Sequence, residues 1–549
     1  MKRVKFELFL TNDKALQEKC RAEIRKNFRT ELKTLVHIAD KDETSDSYKM
    51  VLKIPENEIW DIARKLVTFE GVMDVDPDLN TTVDHIYQKI YLEEQKEPEQ
   101  EQERPDPYWY HHNIRIEEAF DFVIKEFEGG RGFFDPENTI IPIAQFDTGY
   151  TNHPEIALIN KKAGYNYIAG PLMRMLKPNW RRDAKDRLRN FRPFLWASHG
   201  TSTASTIIGT KASRQSIIDG PLKDRVDGLL PHNVNLIPFR ISENIISFDN
   251  KMIHAADQVI RNGKIKIITM SHASLFKKNS WKHAVENAYN SGIIWIAAAG
   301  SHAFGKLRSI IVFPAKYKET IAAAASNVND LPWERTHYGE EIDISAPGFD
   351  IYVPSSRRRW YGVLPDKYTY KWSEGTSFAT PITATAAALW IAHHGEKRLN
   401  EKYPEPWQRI ESFRKVLTDS ARAHKAKVPI NKYGAGLLDI LELLKVDLPN
   451  KENLVHASAK TNQLQILENV EDKIRHITDK EIIYLTACAK IFDKDKPDET
   501  LFEYVYLNAS NSARRVLDSI TQQQNLPEAT NPKSEAVKVY VKEFLNSWS

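Results

Sequence analysis

Apolar and polar positions change their rhythm along the chain. Over residues 1–88, "VKFELFL" and "YKMVLKIP" alternate like half-buried strands. "DKALQEKCRAEIRKNF" places Leu16, Cys20 and Ile24 on one helical face, and "ENEIWDIARKLVTF" repeats that spacing. With "GVMDVDP" as a closing strand, the order predicts a small α+β block of ferredoxin-like kind.

From Pro107 to Leu448 the strands become continuously apolar: "TIIPIAQF", "VNLIPFRI", "KIKIITMS" and "GIIWIAAAG". Helical segments such as "FDNKMIHAADQVIRNG" and "WKHAVENAYNSG" lie between them. Apolar strands alternating with helices predict an α/β domain over 107–448, its parallel sheet covered by helices on both faces. Such sheets bind ligands at the C-terminal ends of their strands. Residues 449–549 read as a helical extension, whose apolar positions suit packing on the α/β core or against one another.

Between the first two blocks, residues 89–106 form a linker. Its stretch "LEEQKEPEQEQERPD" sets seven acids against Lys96 and Arg104, the mark of an extended, solvated segment.

Composition narrows the class. A chain of 549 residues with 41% hydrophobic and 10% aromatic content is globular and long enough for two or three domains. A net charge of +3 excludes a general polyelectrolyte role. Cys20 and Cys488 make neither a disulfide framework nor a zinc pattern. The opening "MKRVKFELFLTNDK" holds no signal-peptide core, and no apolar run of about 18 residues occurs. The expectation is a soluble cytoplasmic protein without a membrane partner, leaderless export staying open.

Three short motifs sit at strand ends or helix starts. The strand "IIPIAQF" stops at Asp147-Thr148-Gly149, which fixes a carboxylate above a turn. The same triplet occurs in aspartic proteases, which need a second copy. "SHGTSTASTIIG" puts His199 at the opening of an apolar helix, where an imidazole moves protons near neutral pH. "GTSFATP" puts Ser377 at the positive end of a helix facing through Phe378, Ile382, Ala386 and Leu389. Singly these read as a turn, a buried hydrogen-bonder and a helix cap. Jointly, the order Asp147, His199, Ser377 is that of one arrangement of the acid–base–nucleophile triad.

On these motifs residues 107–448 resemble the subtilisin-like serine proteases. "FDTGYTNHPEI", "HGTSTAS" and "GTSFATP" match the family's Asp, His and Ser motifs, with Ser205 where Gly is usual. "FPAKY", "SAPGFDI" and "YGAGLLDI" resemble further landmarks. The resemblance implies peptide-bond hydrolysis through an acyl-enzyme: Ser377 as nucleophile, His199 as base and then acid, Asp147 holding the imidazole. It implies an oxyanion hole made by the Ser377 N–H and, usually, an Asn side chain. Here Ser301 holds that position in "IAAAGSHAFG", with His302 next to it. A hydroxyl reaches less far than an amide, so Ser301 or His302 completes the hole, or the enzyme is slow or inactive. The alternative is then a subtilase-fold module that binds peptides without cutting them.

The resemblance also places a peptide substrate in extended form between "MSHAS" and "AAAGS", with Ser271, Ala273, Ala299 and Gly300 as substrate-binding residues. The family often binds calcium, yet "GTKASRQSIIDGPLKDRVDG" offers no acid spacing for it, so no metal or other cofactor is expected. Block 1–88 stands where the family carries an inhibitory prodomain. This suggests a zymogen inhibited in cis by residues 1–106, a permanent accessory domain being the alternative. Two basic stretches, 174–192 with eight Lys or Arg and 355–372, suit solvated insertions better than nucleic-acid binding, or a dock for the acidic linker.

Overall fold

A computed structural model describes residues 2–10, 13–30, 33–34, 47–54, 62, 65–66, 68–77, 104–168, 180–186, 198–210, 227–245, 251–274, 279–301, 311–359, 364–425, 428 and 432–458. Most of the acidic linker, most of the helix expected over 56–69, His302 and residues 211–226 of the loop read for calcium lie outside the described residues. So do parts of both basic stretches, and the extension beyond residue 458 with Cys488. The described residues divide into two compact units, one within 2–77 and one within 104–458.

The first unit contains β1 (Lys2–Leu10), α1 (Lys14–Phe28), β2 (Lys33–Thr34), β3 (Ser47–Ile54) and β4 (Val72–Pro77). Its strands run in the order β2-β3-β1-β4 with every neighbouring pair antiparallel, a ferredoxin-like order. Alternation turns Phe6, Leu8 and Leu10 of β1 and Met50, Leu52 and Ile54 of β3 inward, against Cys20 and Ile24 of α1. The Asp13 carboxylate caps α1 by accepting the N–H groups of Ala15 and Leu16 at 2.8 and 3.2 Å. Burial pushes the Cys20 thiol up to about 11, so it packs as a small apolar group and is no nucleophile.

The second unit opens with α2 (Trp109–Asn113) and α3 (Ile116–Glu128), then β5 (Ile141–Asp147), β6 (Tyr165–Asn166), α4 (His199–Ile208) and β7 (Val234–Arg240). It continues through α5 (Lys251–Asn262), β8 (Ile267–Met270), α6 (Asn279–Asn290), β9 (Ile294–Ala298), β10 (Ile321–Ser326) and β11 (Ile344–Pro347). The remaining elements are β12 (Ile351–Arg359), β13 (Leu364–Ser373), α7 (Thr376–His394), α8 (Glu396–Lys402), α9 (Pro406–Asp419) and α10 (Ile440–Lys445).

Seven strands form a parallel sheet in the order β11-β10-β9-β8-β5-β7-β6. This is the α/β sheet that the continuous apolar runs predict. Its first strand in sequence, β5, lies between β7 and β8: the chain crosses to the edge at β6, returns to β7 beside β5, and then runs outward on the other side from β8 to β11. Such a switch point opens a crevice at the carboxyl ends of the strands. The β5–β7 register, Ile141↔Val234 through Asp147↔Arg240, brings Asp147 to that edge.

Helix α7 runs against β5 and β8 to β11 and is covered in turn by α4, α8 and α10. It is therefore buried on every side rather than on the single face its apolar spacing suggests; among its residues only Ser377 is not buried. A wholly buried helix must satisfy its polar side chains internally. Thr380, Thr383 and Thr385 do so by donating to the carbonyls of Thr376, Ala379 and Pro381 at 2.8, 2.8 and 3.0 Å.

Two further features frame the crevice. β12 and β13 pair as an antiparallel ribbon, Ile351↔Ser373 through Arg359↔Leu364, within what reads in sequence as a basic stretch. The Arg104 guanidinium pairs with the Asp350 carboxylate, and Trp109 Nε1 donates to the Asp350 carbonyl at 2.8 Å. The packed part of this unit thus reaches back to Arg104.

Candidate active site

Strand β5 ends at Asp147, and Gly149 turns the chain with φ 97°. A Cβ on Gly149 would stand 2.2 Å from the Ala184 carbonyl oxygen, so no side chain fits there. Asp147 is buried, and its carboxylate is fully engaged. Oδ1 accepts the Thr148 N–H at 2.6 Å and Nδ1 of His199 at 2.8 Å; Oδ2 accepts the Thr203 hydroxyl at 2.9 Å.

His199 is the first residue of α4, and all ten residues of that helix are buried. Its start is fixed from several directions. Ser198 has a left-handed backbone with φ 64°, its N–H donates to Asp186 Oδ2 at 2.7 Å, and its hydroxyl accepts the Ser356 N–H at 3.1 Å. Gly200 lets helix and strand meet: a Cβ there would fall 2.3 Å from the Gly149 carbonyl oxygen. The buried Gln145 amide reaches across from β5 to the Gly200 carbonyl and Thr203 Oγ1 at 2.8 and 2.9 Å. An ionised carboxylate only accepts, so His199 presents Nδ1–H to Asp147, and its Nε2 carries the basic lone pair.

Ser377 is the second residue of α7. The N-cap is Gly375, at φ 138° and without a side chain to cap with, so the cap expected of the serine falls to another residue. Pro381 carries no N–H, so the Ser377 carbonyl lacks its usual i+4 partner. The Ser271 hydroxyl donates to it instead, at 2.7 Å. Because α7 packs against α4, the serine and histidine motifs lie on touching helices, and the acid and imidazole are directly bonded.

The other candidates sit close by. Ser301 Oγ accepts the Thr376 N–H at 2.8 Å and lies 3.0 Å from Thr376 Oγ1. Gly300, with φ 114°, donates its N–H to Thr376 Oγ1 at 3.3 Å and accepts the His337 N–H at 3.0 Å. Ala299 is fully buried, its N–H on the Ala323 carbonyl and its own carbonyl on the Val312 N–H. Ala273 is buried with its N–H on the Ile245 carbonyl, and Ser274 bridges to Phe313. Ser271, Ala299 and Gly300 are thus tied into the scaffold that carries Ser377. Among the described residues no cluster of His, Cys, Asp and Glu is arranged to hold a metal ion.

Gln145, Thr203 and Ser356, to which the sequence draws no attention, complete this arrangement together with the Thr376 hydroxyl. A glutamine inside an otherwise apolar strand was the one available signal; the hydroxyls resemble those of any helix or loop.

Comparison with known proteins agrees with the motifs. The subtilase family model matches residues 141–436, a span that contains Asp147, His199 and Ser377. Subtilisin NAT of Bacillus subtilis subsp. natto is 31% identical over 198 residues, covering 36% of this chain and 46% of that protein. The thermostable alkaline protease of Halalkalibacterium halodurans is 27% identical over 247 residues, covering 45% and 55%. Among solved structures, proteases from Pseudoalteromonas arctica PAMC 21717 align with a TM-score of 0.44 at 19% identity, covering 62% of this chain and 97% of that one. The chain spans about half the length of the curated relatives named here.

Proposed function

This chain belongs to the subtilase family, and on that premise we propose that it is a serine endopeptidase acting on proteins or peptides. Ser377 Oγ adds to the scissile carbonyl carbon while its proton passes to His199 Nε2. Asp147 holds the Nδ1–H and stabilises the imidazolium. The imidazolium then gives its proton to the leaving amine, and water, activated by the same imidazole, releases the acyl group. The observation that carries this reading is the 2.8 Å contact of His199 Nδ1 with Asp147 Oδ1 at the switch-point edge, beside the helix on which only Ser377 is not buried.

The first unit has the position and the ferredoxin-like strand order of a subtilase prodomain. In this reading residues 1–106 inhibit the peptidase until the first unit is cut away. No cofactor enters the reaction.

A fluorophosphonate probe tests the assignment. Covalent labelling of Ser377, abolished by Ser377→Ala and strongly reduced by His199→Ala, is the expected result. A protein that binds peptides but neither labels nor hydrolyses them is a binding module, and the peptidase reading fails.

A further inference from the structure

The position where a subtilase usually offers a side-chain amide to the oxyanion is occupied by a hydroxyl that is already bonded. Backbone N–H groups can only donate, and two of them point into the Ser301–Thr376 pair. The Thr376 N–H enters Ser301 Oγ at 2.8 Å, and the Gly300 N–H enters Thr376 Oγ1 at 3.3 Å. The two hydroxyl oxygens lie 3.0 Å apart, so one hydroxyl proton lies between them. Two protons are present and one is used, which leaves one directed out of the pair. It sits on Ser301 when Thr376 donates, and on Thr376 when Ser301 donates. Each hydroxyl strengthens the other as a donor through the chain of bonds.

Ser301 lies beside the backbone of the nucleophile. A Cβ placed on Gly375 would stand 3.4 Å from Ser301 Oγ and 3.6 Å from the Ser377 backbone nitrogen. The Ser301 oxygen and the Ser377 backbone nitrogen therefore border one space, which the missing side chain of Gly375 keeps open. An antiparallel bridge to Thr336 holds the Ser301 backbone in place.

We infer that Ser301 and Thr376 act as one donor, a coupled hydroxyl pair whose single outward proton hydrogen-bonds the oxyanion in place of an amide. The inference rests on the peptidase reading. As Ser377 Oγ bonds to the carbonyl carbon and its proton moves to His199, the carbonyl π pair moves onto oxygen. The pair's proton is shared with that oxygen and is not transferred.

Kinetics of Ser301→Ala, Thr376→Val and the double variant test this, with thermal unfolding as the control for folding. Each single variant leaves one hydroxyl and its proton; the double variant leaves none. The double variant is expected to lose about 100- to 1,000-fold in kcat at nearly constant KM, more than the product of the two single losses. In the Ser301→Ala background, Thr376→Ser should keep the residual rate that Thr376→Val removes, which serves if the double variant does not fold. Single losses that multiply, or a Thr376→Val enzyme that matches wild type in both backgrounds, overturn the pair while leaving the peptidase reading intact. A wild type without Ser377-dependent hydrolysis and labelling overturns the reading, and the pair with it.

Discussion

The Ser271 hydroxyl donates to the Ser377 carbonyl at 2.7 Å, taking the place of the backbone N–H that Pro381 lacks. The bond ties the first turn of α7 to the end of β8, and so sets where the serine Oγ stands. Ser271→Ala leaves the carbonyl unpaired at a cost of about 1 kcal/mol, and a shifted nucleophile passes that cost into the barrier. The expected result is a kcat lowered by roughly fivefold with KM little changed. An unchanged kcat, or a change confined to KM, would return Ser271 to the role of a substrate contact.

The Asp147 carboxylate is held by three donors, one of them the imidazole. An amide in its place offers an N–H where an acceptor is needed, and the imidazole is driven to the wrong tautomer. Asp147→Asn is therefore expected to lower kcat by about 10⁴-fold, the loss that follows when a triad histidine is held in the wrong tautomer. Thr203→Val removes only the donor to Oδ2 and should act in the same direction, far more weakly. Steady-state rates on one peptide, with unfolding curves to confirm the fold, check both.

The three motifs were legible because each compresses its chemistry into a few neighbouring residues. The sheet was legible because strands such as "IIWIAAA" are buried on both faces and leave a continuous apolar run. What stayed hidden depends on distant partners. Thr376 and Ser301 are separated by 75 residues, and neither hydroxyl differs in sequence from one facing water. The β12–β13 ribbon was masked by its charge, since Arg357, Arg358, Arg359, Lys367 and Lys371 obscure the alternation of Tyr352, Tyr368, Tyr370 and Trp372. Helix α7 read as one-sided because its apolar spacing cannot report that Ala and Thr lie beneath other helices as well.

Arg104 closes on a nearly buried carboxylate, Asp350, beside the Trp109 indole that bonds the same residue. Removing Arg104 would leave that carboxylate without its cation in a site mostly withdrawn from water. If the first unit is cut away from the peptidase, the stable product should begin at or before Arg104. Intact-mass measurement of wild type against Ser377→Ala reads the new N-terminus directly. A stable, active product starting at or beyond Pro105 would show that the clamp is dispensable.

At the far end of α7, His394 is buried, and neither of its ring nitrogens has a hydrogen-bond partner among the described residues. Burial, reinforced by the positive charges of His393, Arg398 and Lys402, pushes its pKa down to about 3. Burial likewise pushes His111 down to about 4. In the unfolded chain both take up a proton near pH 6.5, while the folded protein resists until far lower pH. Folding is thus unaffected by these groups above about pH 6.5 and is progressively weakened as pH falls from there toward 4. Each contributes a slope of about 1.4 kcal/mol per pH unit near pH 5. His394→Leu removes one titrating group, so unfolding free energy measured across that range in Ser377→Ala protein, which cannot digest itself, should fall less steeply by about that amount. An acid limb identical in the two proteins would mean that His394 takes up its proton equally in the folded and unfolded chain, and that the packing around it opens enough to admit the charge.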